Sequence, residues 1–395
     1  MRNKMINFFD KKSNTNIIIA GIFALIIGMG VARFSFTSLL PAMLENRIDI
    51  SFAGVLASIN YFGYLLGAIF AIFIKSIKQK VLLFRIGLFI SIITTLILGL
   101  NTDDFLWIIS RFIAGFGSSM LMVIGSSLVM SRLKFDDKTK AMGIHFSGIG
   151  FSMVVADIVS RVVLNYASWE YSWIVLTIVA VILSFYSFYI LDEQKGVNFT
   201  KIKTNAVKFD SFIIVLIFSY FTVGVGFVVQ ATFLPDIINS IKGLEGLGSN
   251  SWLLAGIAGI PSCIIWMRLA YKYGSSNIIL VCMLLLIISI LIPTMTNSMF
   301  FNLLSAFLYG ATFIALVALF LNLGGKIAKS NPAFLMGALT SSYGIGQISA
   351  PLYSVALINE YKSYDSSLYL TAFILFLGVL VLYFNKNKEK KYASN

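Results

Sequence analysis

The chain contains repeated apolar runs that are each long enough to cross a lipid bilayer as a helix. A membrane-spanning helix needs about 20 mostly apolar residues, and short polar stretches divide this sequence into segments of that length. This rule predicts twelve spans, at 17–40, 52–74, 81–100, 105–130, 141–163, 171–191, 211–234, 251–271, 277–297, 300–323, 335–358 and 367–384. The expected fold class is therefore an all-α membrane protein with twelve transmembrane helices.

The overall composition supports a polytopic membrane protein. Apolar residues make up 58% of the chain and charged residues 12%, whereas a soluble domain has about 45–50% apolar and roughly 25% charged residues. The basic N-terminal stretch and the apolar run after it resemble a signal peptide, but the run is too long and no small-residue cleavage site ends it. We therefore expect the first run to stay in the protein as a transmembrane helix.

The positions of Lys and Arg predict the orientation in the membrane. Of the 30 basic residues, 23 fall in the segments on the same predicted side as the N-terminus, 3 in the loops on the opposite side and 4 within spans. Because cytoplasmic loops carry an excess of Lys and Arg, both termini are expected in the cytoplasm. The net charge of +13 is then a topology signal, and no nucleic-acid partner is expected. The expected location is the bacterial inner (plasma) membrane.

One sequence offset of 194 residues relates two parts of the chain. The stretch GMGVARFSFTSLLP at 28–41 matches GVGFVVQATFLP at 224–235. The same offset aligns further pairs, Gly30 with Gly224, Pro41 with Pro235, Met142 with Met336 and Gly150 with Gly344. Motif pairs far apart in the chain that share one offset indicate a duplication, and parallel repeats with a binding site between them are a transporter architecture. The predicted units are a six-helix half at 1–191, a cytoplasmic linker at 192–210 and a six-helix half at 211–395.

Three further motifs allow comparison with a known family. They are SRFIAGFG at 110–117 in the fourth span, MRLAYKYG at 267–274 in the turn after the eighth span, and TSSYGIGQISAP at 340–351 in the eleventh span. Together with the duplication and the twelve spans, these motifs resemble the major facilitator superfamily. The turn is similar to that family's G-R-L-A-D-R-x-G motif, with Tyr271 where the family prefers Asp. Its first-half copy, IKSIKQK at 74–80, lacks both the acid and the glycine.

More narrowly, GVARFSFTSLLP, ATFLP and SYGIGQISAP resemble the YbfB/YjiJ-type subgroup of that superfamily. The resemblance places the family's fourth-helix arginine on Arg111 and a gating arginine of the cytoplasmic turn on Arg268. It implies two halves related by a pseudo-twofold axis along the membrane normal, with transport by alternating access between them.

Three ionisable residues are predicted deep within spans of the first half. Arg33, Arg111 and Asp157 lie roughly 9–12 Å from the outer helix ends, at 1.5 Å per residue. Such groups are rare in spans and are functional by default. Arg161 lies one turn from Asp157, so a structural ion pair is one reading. Because arginines outnumber acids in this layer, the other reading is an arginine that binds an anion. Asp157, the only carboxylate predicted deep in a span, is the candidate proton-coupling residue.

Arg33 is the most informative of these charges. Its counterpart at the offset of 194 is Phe227, so the duplicated helix spans the membrane without an arginine. Two readings stay open for Arg33. It binds a carboxylate or phosphate of the substrate, or it pairs with Asp157 or with a helix end.

The remaining candidates are polar or small residues within spans. Besides Arg33 and Arg111, the substrate-binding candidates are Gln230, Tyr343 and Gln347, with hydrogen bonds to neighbouring helices as the alternative for the two glutamines. Small residues either only let helices pack closely or also form a rocking contact between the halves, and these are Gly143, Gly148, Gly150, Gly344 and Gly346. His145 is either a partnered interfacial side chain or a proton relay.

The sequence therefore predicts a secondary active transporter of a small organic solute, expected to be anionic. It has no Walker A motif that would bind nucleotide, and two cysteines with one histidine cannot form a zinc site. We expect no enzyme activity, no cofactor, no metal, and a monomer in the lipid bilayer with a small-molecule substrate. The alternatives are a polytopic membrane enzyme, such as a lipid or glycan transferase, and a transporter-like sensor.

Overall fold

The protein is helical throughout the part of the chain that its computed structural model describes, residues 10–74, 76–133, 138–192, 210–328 and 332–393. The helices are α1 Asn14–Asn46, α2 Ile50–Ile72, α3 Ile77–Leu100, α4 Asp104–Arg132, α5 Lys138–Leu164, α6 Trp169–Ile190, α7 Ser211–Asn239, α8 Gly248–Tyr273, α9 Ser275–Met295, α10 Met299–Ile327, α11 Pro332–Tyr361, α12 Asp365–Asn385 and a last turn, α13 Lys390–Ala393. Eleven of the described helices are long and apolar enough to cross a membrane. The 30-residue α11 occupies the place of the eleventh predicted span. The all-α membrane fold class is confirmed.

Aspartates begin several of these helices. The carboxylate of Asp49 accepts the backbone N–H of Phe52 at 2.7 Å before α2, and Asp103 accepts that of Leu106 at 2.8 Å within the first turn of α4. Such side chains satisfy the backbone donors that a helix start leaves without a partner. They define where the helices begin after the short loops on one side of the membrane.

Two of the predicted spans end earlier than the helices that the structure shows. The first was expected to end at 40 and the seventh at 234, each directly before a proline, but α1 continues to Asn46 and α7 to Asn239. Pro41 and Pro235 lie inside these helices. A proline removes one backbone donor, and packed transmembrane helices tolerate it because neighbouring groups satisfy the freed carbonyl. These two predicted ends are therefore wrong.

The two ends of the described chain lie on the same side of the helix bundle. Lys11 forms an ion pair of 3.2 Å with Asp192, next to the end of α6, and Lys391 forms one of 3.4 Å with Asp210, next to the start of α7. We call this the terminal side and the opposite one the far side. Most of the predicted linker 192–210 lies outside the described residues. The cytoplasmic placement of the termini stays a prediction.

Three helix pairs make most of the described contacts between the first six helices and the last six. α2 packs along α11, α5 packs along α8, and the far-side part of α1 packs against α7. The backbones of α5 and α8 approach closely, since a Cβ added at Gly150 would lie 2.5 Å from the backbone nitrogen of Ile260. Small residues permit such close approach between membrane helices. The boundary between the first six and the last six helices is thus formed mainly by α1, α2, α5, α7, α8 and α11.

Candidate functional site

Arg33 lies in the middle of α1, where the backbone between Ile26 and Phe34 is π-helical. The residue is 4% exposed, and its guanidinium carbon lies 4.4 Å from the ring centre of Tyr61 and 4.6 Å from that of Tyr64. Its Nε and Nη2 atoms are buried and have no hydrogen-bond partner among the described residues. These two nitrogens donate along one edge of the guanidinium, and such an edge fits a carboxylate in a bidentate pair. We call it the free edge of Arg33.

The guanidinium of Arg111 is used differently. Its Nη1 donates to the carbonyl of Ala32 at 3.0 Å and its Nε to that of Leu56 at 3.4 Å. Asn60 in turn donates to the carbonyl of Arg111 at 2.9 Å. Arg111 therefore joins α1, α2 and α4, and one of its acceptors lies in the π-helical segment, where the regular hydrogen-bond pattern is altered. These contacts make it a structural partner of the segment that carries Arg33.

Aromatic rings of five helices surround the region next to Arg33. We call the following group the aromatic cluster: Phe34 of α1, Tyr220 and Phe227 of α7, Trp252 of α8, Tyr309, Phe313 and Phe320 of α10, and Tyr343 of α11. Phe34 contacts Trp252 with ring centres 5.7 Å apart, and Phe227 lies 5.9 Å from Tyr343. Tyr220 stacks on Tyr343 at 4.6 Å. Phe34 follows Arg33 directly in α1, so the aromatic cluster begins one residue from the buried guanidinium.

Asp157 pairs with the arginine one turn away. Its Oδ2 accepts from Arg161 Nη2 at 2.8 Å, and the Asp157 side chain is 2% exposed. Arg161 Nη1 also donates to the side-chain oxygen of Asn250 in α8. A cavity of about 190 Å³ opens beside the pair, lined by Ser38, Asp157, Ser160, Arg161, Leu164, Asn165 and Ser249. The ion pair that the sequence analysis considered between Asp157 and Arg161 is present, and Asp157 makes no described ion pair with Arg33.

A family model described as "Uncharacterised MFS-type transporter YbfB" matches residues 25–383. The chain belongs to this family. The resemblance inferred from the sequence motifs is confirmed, and the protein is a multi-pass membrane transporter of the major facilitator type.

Two individual proteins extend this comparison. The multidrug efflux pump SdrM of Staphylococcus aureus (strain N315) is 28% identical over 182 residues, which are 44% of this chain and 40% of the pump. The match thus spans less than half the length of that relative. The crystal structure of a mutant of the nucleoside transporter NupG has a TM-score of 0.71 and 13% sequence identity, and the match covers 92% of this chain and 98% of that one. At this identity the similarity shows the fold alone.

The two candidate glutamines of this YbfB-type transporter have different surroundings. The amide of Gln230 exchanges hydrogen bonds with the hydroxyl of Ser289 in α9, at 3.1 and 3.2 Å. This is the neighbouring-helix contact that the sequence analysis left open as the alternative. Gln347 is 1% exposed and its Oε1 has no hydrogen-bond partner among the described residues. It lies one turn from Tyr343 on α11, so an acceptor faces the same region as the aromatic cluster.

The candidate glycines fall into two groups. Gly150 faces α8 and Gly344 faces Leu65 of α2, so both lie where the predicted halves meet. Gly143 belongs to the same group, because a Cβ added there would lie 3.4 Å from the Ile264 side chain of α8. Gly148 instead packs on α1 and Gly346 on α7, within their own predicted halves. Arg268 is exposed near the terminal-side end of α8 and makes no ion pair within the described ranges.

Sequence reasoning missed several residues of this region. Tyr61 and Tyr64 could have been found, because two tyrosines one turn apart interrupt an otherwise apolar span. Trp252 and Tyr309 carry no such signal, since their relation to Arg33 arises only when α8 and α10 pack beside α1. His145 has its Nε2 2.8 Å from the hydroxyl of Ser126, while its Nδ1 is buried without a hydrogen-bond partner among the described residues, so both readings of this residue stay predictions.

Proposed function

We propose that this transporter is a secondary active carrier of a small organic anion, working by alternating access in the bacterial inner membrane. The observation that carries the proposal is the free edge of Arg33. A charged side chain at the bilayer centre costs about 2.5–3.5 kcal/mol on insertion scales. The two tyrosine rings offset part of this through cation–π contact, but two adjacent donors have no acceptor within the part of the chain that the structure describes. A carboxylate or phosphate would satisfy both donors and the charge.

The competing explanation for Arg33 was an ion pair inside the protein. Asp157 accepts from Arg161, and Arg161 extends to Asn250. Arg111 donates to two backbone carbonyls. These contacts favour an external anion as the partner of Arg33. They also disfavour a cationic substrate next to it, because like charges would repel in a region of low dielectric.

Symmetry supports two halves of the predicted kind. Thr37 Oγ1 of α1 donates to the carbonyl of Ala231 in α7, and these two positions are 194 residues apart. Equivalent positions of two repeats meet where a twofold axis passes between them. Under the same axis α2 corresponds to α8 and α11 to α5, so the contact of α2 with α11 is equivalent to that of α8 with α5. The shared offset therefore has a spatial counterpart.

The contacts between the predicted halves differ on the two sides of the membrane. Five described hydrogen bonds join them, all at the level of Tyr61 or further toward the far side: Thr37 to Ala231, Ser58 to Ile348, Tyr61 with Thr232, Arg161 to Asn250, and Asn359 to Ser51. Toward the terminal side the described contacts are apolar, such as Ile72 against Gly337 and Ile264 against Gly143. We infer that this conformation opens toward the terminal side more readily than toward the far side.

Asp157 gives a route for coupling to a proton gradient. It lies beside a polar cavity, and its partner Arg161 is one of the links to α8. Protonation of Asp157 would remove the charge that holds Arg161 in place. The far-side link to Asn250 would then weaken, so that proton binding and opening of the far side are connected through one side chain.

The anion proposal is tested with matched pairs of carboxylic acids and their neutral amides. Purified wild-type protein should be stabilised against heat by some of the acids, whereas the amides of the same shape should have no effect. In Arg33→Gln the stabilisation should disappear while the melting temperature without ligand stays close to wild type. Equal stabilisation by acids and amides, or full stabilisation of Arg33→Gln by the acids, would contradict an anion site at Arg33.

Family membership favours transport over a membrane transferase or a sensor. A transport assay in proteoliposomes separates these functions, since a sensor would bind the same acids without moving them.

Distances between spin labels test alternating access. The distance between labels at Phe73 and Tyr271, which are both exposed on the terminal side, should change on ligand binding. The native Cys263 and Cys282 are buried and should not react with the label. An unchanged distance distribution in the presence of a transported ligand would contradict rocking of the halves.

A further inference from the structure

The surroundings of the free edge restrict the anion, if Arg33 is the anion contact proposed above. Among the described residues of this layer, Arg111 is engaged by carbonyls and Arg161 by Asp157 and Asn250. Arg33 carries the one guanidinium edge of this layer whose two nitrogens are both buried without a partner among the described residues. One edge forms one bidentate pair and balances one negative charge. The geometry therefore fits a ligand with a single carboxylate better than one with a second anionic group, which would find no second pair of adjacent free donors in this layer.

The neighbours of this guanidinium are aromatic rings. Arg33 lies against the rings of Tyr61 and Tyr64, and Phe34, the next residue, contacts Trp252. Trp252 in turn lies 6.5 Å from Tyr309, centre to centre, and is 0% exposed. A polyhydroxylated solute would need many hydrogen-bond partners in such surroundings, because a buried polar group without a partner costs about 1–3 kcal/mol. A flat apolar body attached to the anionic group has no such requirement.

The aromatic cluster also crosses the boundary between the predicted halves. Phe34 belongs to the first half and Trp252 to the second, so opening of the halves separates these two rings. A planar ring placed between them would restore the lost stacking contacts, which contribute about 0.5–1.5 kcal/mol per aromatic pair beyond the burial of area. A saturated chain or ring would restore the apolar burial but not this geometry.

We propose that the substrate is a planar aromatic monocarboxylate, whose carboxylate binds the free edge of Arg33 and whose ring stacks within the aromatic cluster. Two further buried atoms that have no partner among the described residues fit a substituent on such a ring. Trp252 Nε1 is a donor and Gln347 Oε1 is an acceptor, and both belong to helices that pack across the boundary between the halves. A ring hydroxyl or amino group could satisfy Gln347.

The test compares aromatic acids with their saturated analogues. Binding of benzoate, cyclohexanecarboxylate, 2-naphthoate and decahydro-2-naphthoate to the purified full chain is measured by isothermal titration calorimetry. Each aromatic acid should bind at least about tenfold more tightly than its saturated analogue of the same charge. Arg33→Gln should abolish the binding of all four.

Variants of Tyr343 separate stacking from general packing. Tyr343→Phe keeps the ring and should bind benzoate more tightly than Tyr343→Leu does. Tyr343→Leu removes the ring, and should weaken benzoate about five- to tenfold while leaving cyclohexanecarboxylate nearly unchanged. The comparison of the four acids on wild type does not depend on whether these variants fold.

The possible failures are distinguishable. Binding that depends on Arg33 but is equal for aromatic and saturated acids would overturn the aromatic inference and leave the anion transporter intact. Binding of aromatic acids that persists in Arg33→Gln would overturn the placement of the carboxylate and, with it, the proposed anion site. If none of the four acids binds, the proposal that the substrate is an aromatic monocarboxylate is wrong.

Discussion

Helices α1 and α7 share a sequence pattern at the offset of 194 residues but differ in the chemistry at their centres. α1 has Arg33 in a π-helical segment, with one donor edge unpartnered within the described residues. α7 is a regular helix and has Phe227 at the matching position, 2% exposed and packed against the ring of Phe313 at 5.1 Å. In the second predicted half, the position equivalent to Arg33 is thus occupied by an apolar ring. The arginine of the other half adds a charge that packing does not require.

The largest expected effect comes from changing these two matching residues. Arg33→Lys keeps the charge but loses the planar pair of donors. Loss of charge-assisted hydrogen bonds of this kind, about 1.5–3 kcal/mol, should lower the transport efficiency for the preferred anion on the order of 100-fold. Phe227→Leu should lower it only a few-fold. The measurement is initial uptake into proteoliposomes at matched protein content. Comparable losses in both variants would mean that α1 and α7 do not differ in function.

A second prediction concerns Asp157, whose matching position in α11 is Pro351. Asp157→Asn should abolish accumulation driven by a proton gradient and spare exchange of substrate between the two sides. Asp236→Asn serves as the control, since Asp236 is another partly buried acid, bonded to Tyr364 at the far side. It should retain gradient-driven accumulation. Unchanged accumulation in Asp157→Asn would leave Asp157 a structural partner of Arg161.

A third prediction separates Arg111 from Arg33. Arg111→Lys loses hydrogen bonds to the carbonyls of Ala32 and Leu56, so it should lower the melting temperature by several degrees and reduce the folded yield. The matching residue is Ser305, which donates to the carbonyl of Ser289 at 2.6 Å. Ser305→Ala should destabilise by about 0.5–1.5 kcal/mol. If Arg111→Lys keeps the wild-type melting temperature and loses ligand binding instead, Arg111 is a substrate contact and the structural assignment is wrong.

The smallest expected effect lies outside the membrane, at the start of α7. Burial alone would raise the pKa of Asp210, but hydrogen bonds from Tyr392, from the backbone of Ile213 and Phe212, and from Lys391 hold that pKa below its usual value. The carboxylate therefore stabilises the fold above its ordinary pKa near 3.8, and this contribution is lost as the pH falls through the lower folded-state value.

At pH 7, Asp210→Asn should lower the melting temperature by no more than about 3 °C, as for an exposed charge pair. The difference between variant and wild type should shrink as the pH falls below about 4. A difference that stays constant with pH would show that the charge of Asp210 does not contribute.

The sequence was sufficient for the helices because bilayer thickness imposes a strong length requirement on apolar runs. It was also sufficient for the burial of Arg33, and it offered the pair of Asp157 with Arg161 as one of two readings, since both follow from positions along single helices. The hydrogen bonds of the Arg111 guanidinium could not be predicted, because the acceptors are carbonyls on two other helices. Extension of α1 and α7 beyond Pro41 and Pro235 depends likewise on neighbouring helices that tolerate the prolines.

The aromatic cluster could not be predicted from the sequence for the same reason. Phe34 and Trp252 are more than two hundred residues apart in the chain, and their contact at 5.7 Å arises only from the packing of α1 beside α8. Composition shows that the protein is rich in aromatic residues, with 35 phenylalanines and 17 tyrosines, but such residues are expected anywhere in a membrane protein. Only their arrangement near the free edge of Arg33 gives these residues a proposed role.

Binding of the anion by the free edge of Arg33 can be seen in a crystal structure of the protein with 4-bromobenzoate. The carboxylate oxygens should lie at about 2.7–2.9 Å from both Nε and Nη2 of Arg33. The anomalous signal of bromine should lie within the aromatic cluster. A bromine signal elsewhere, with the Nε and Nη2 edge of Arg33 bonded to a group of the protein itself, would show that Arg33 does not bind the anion.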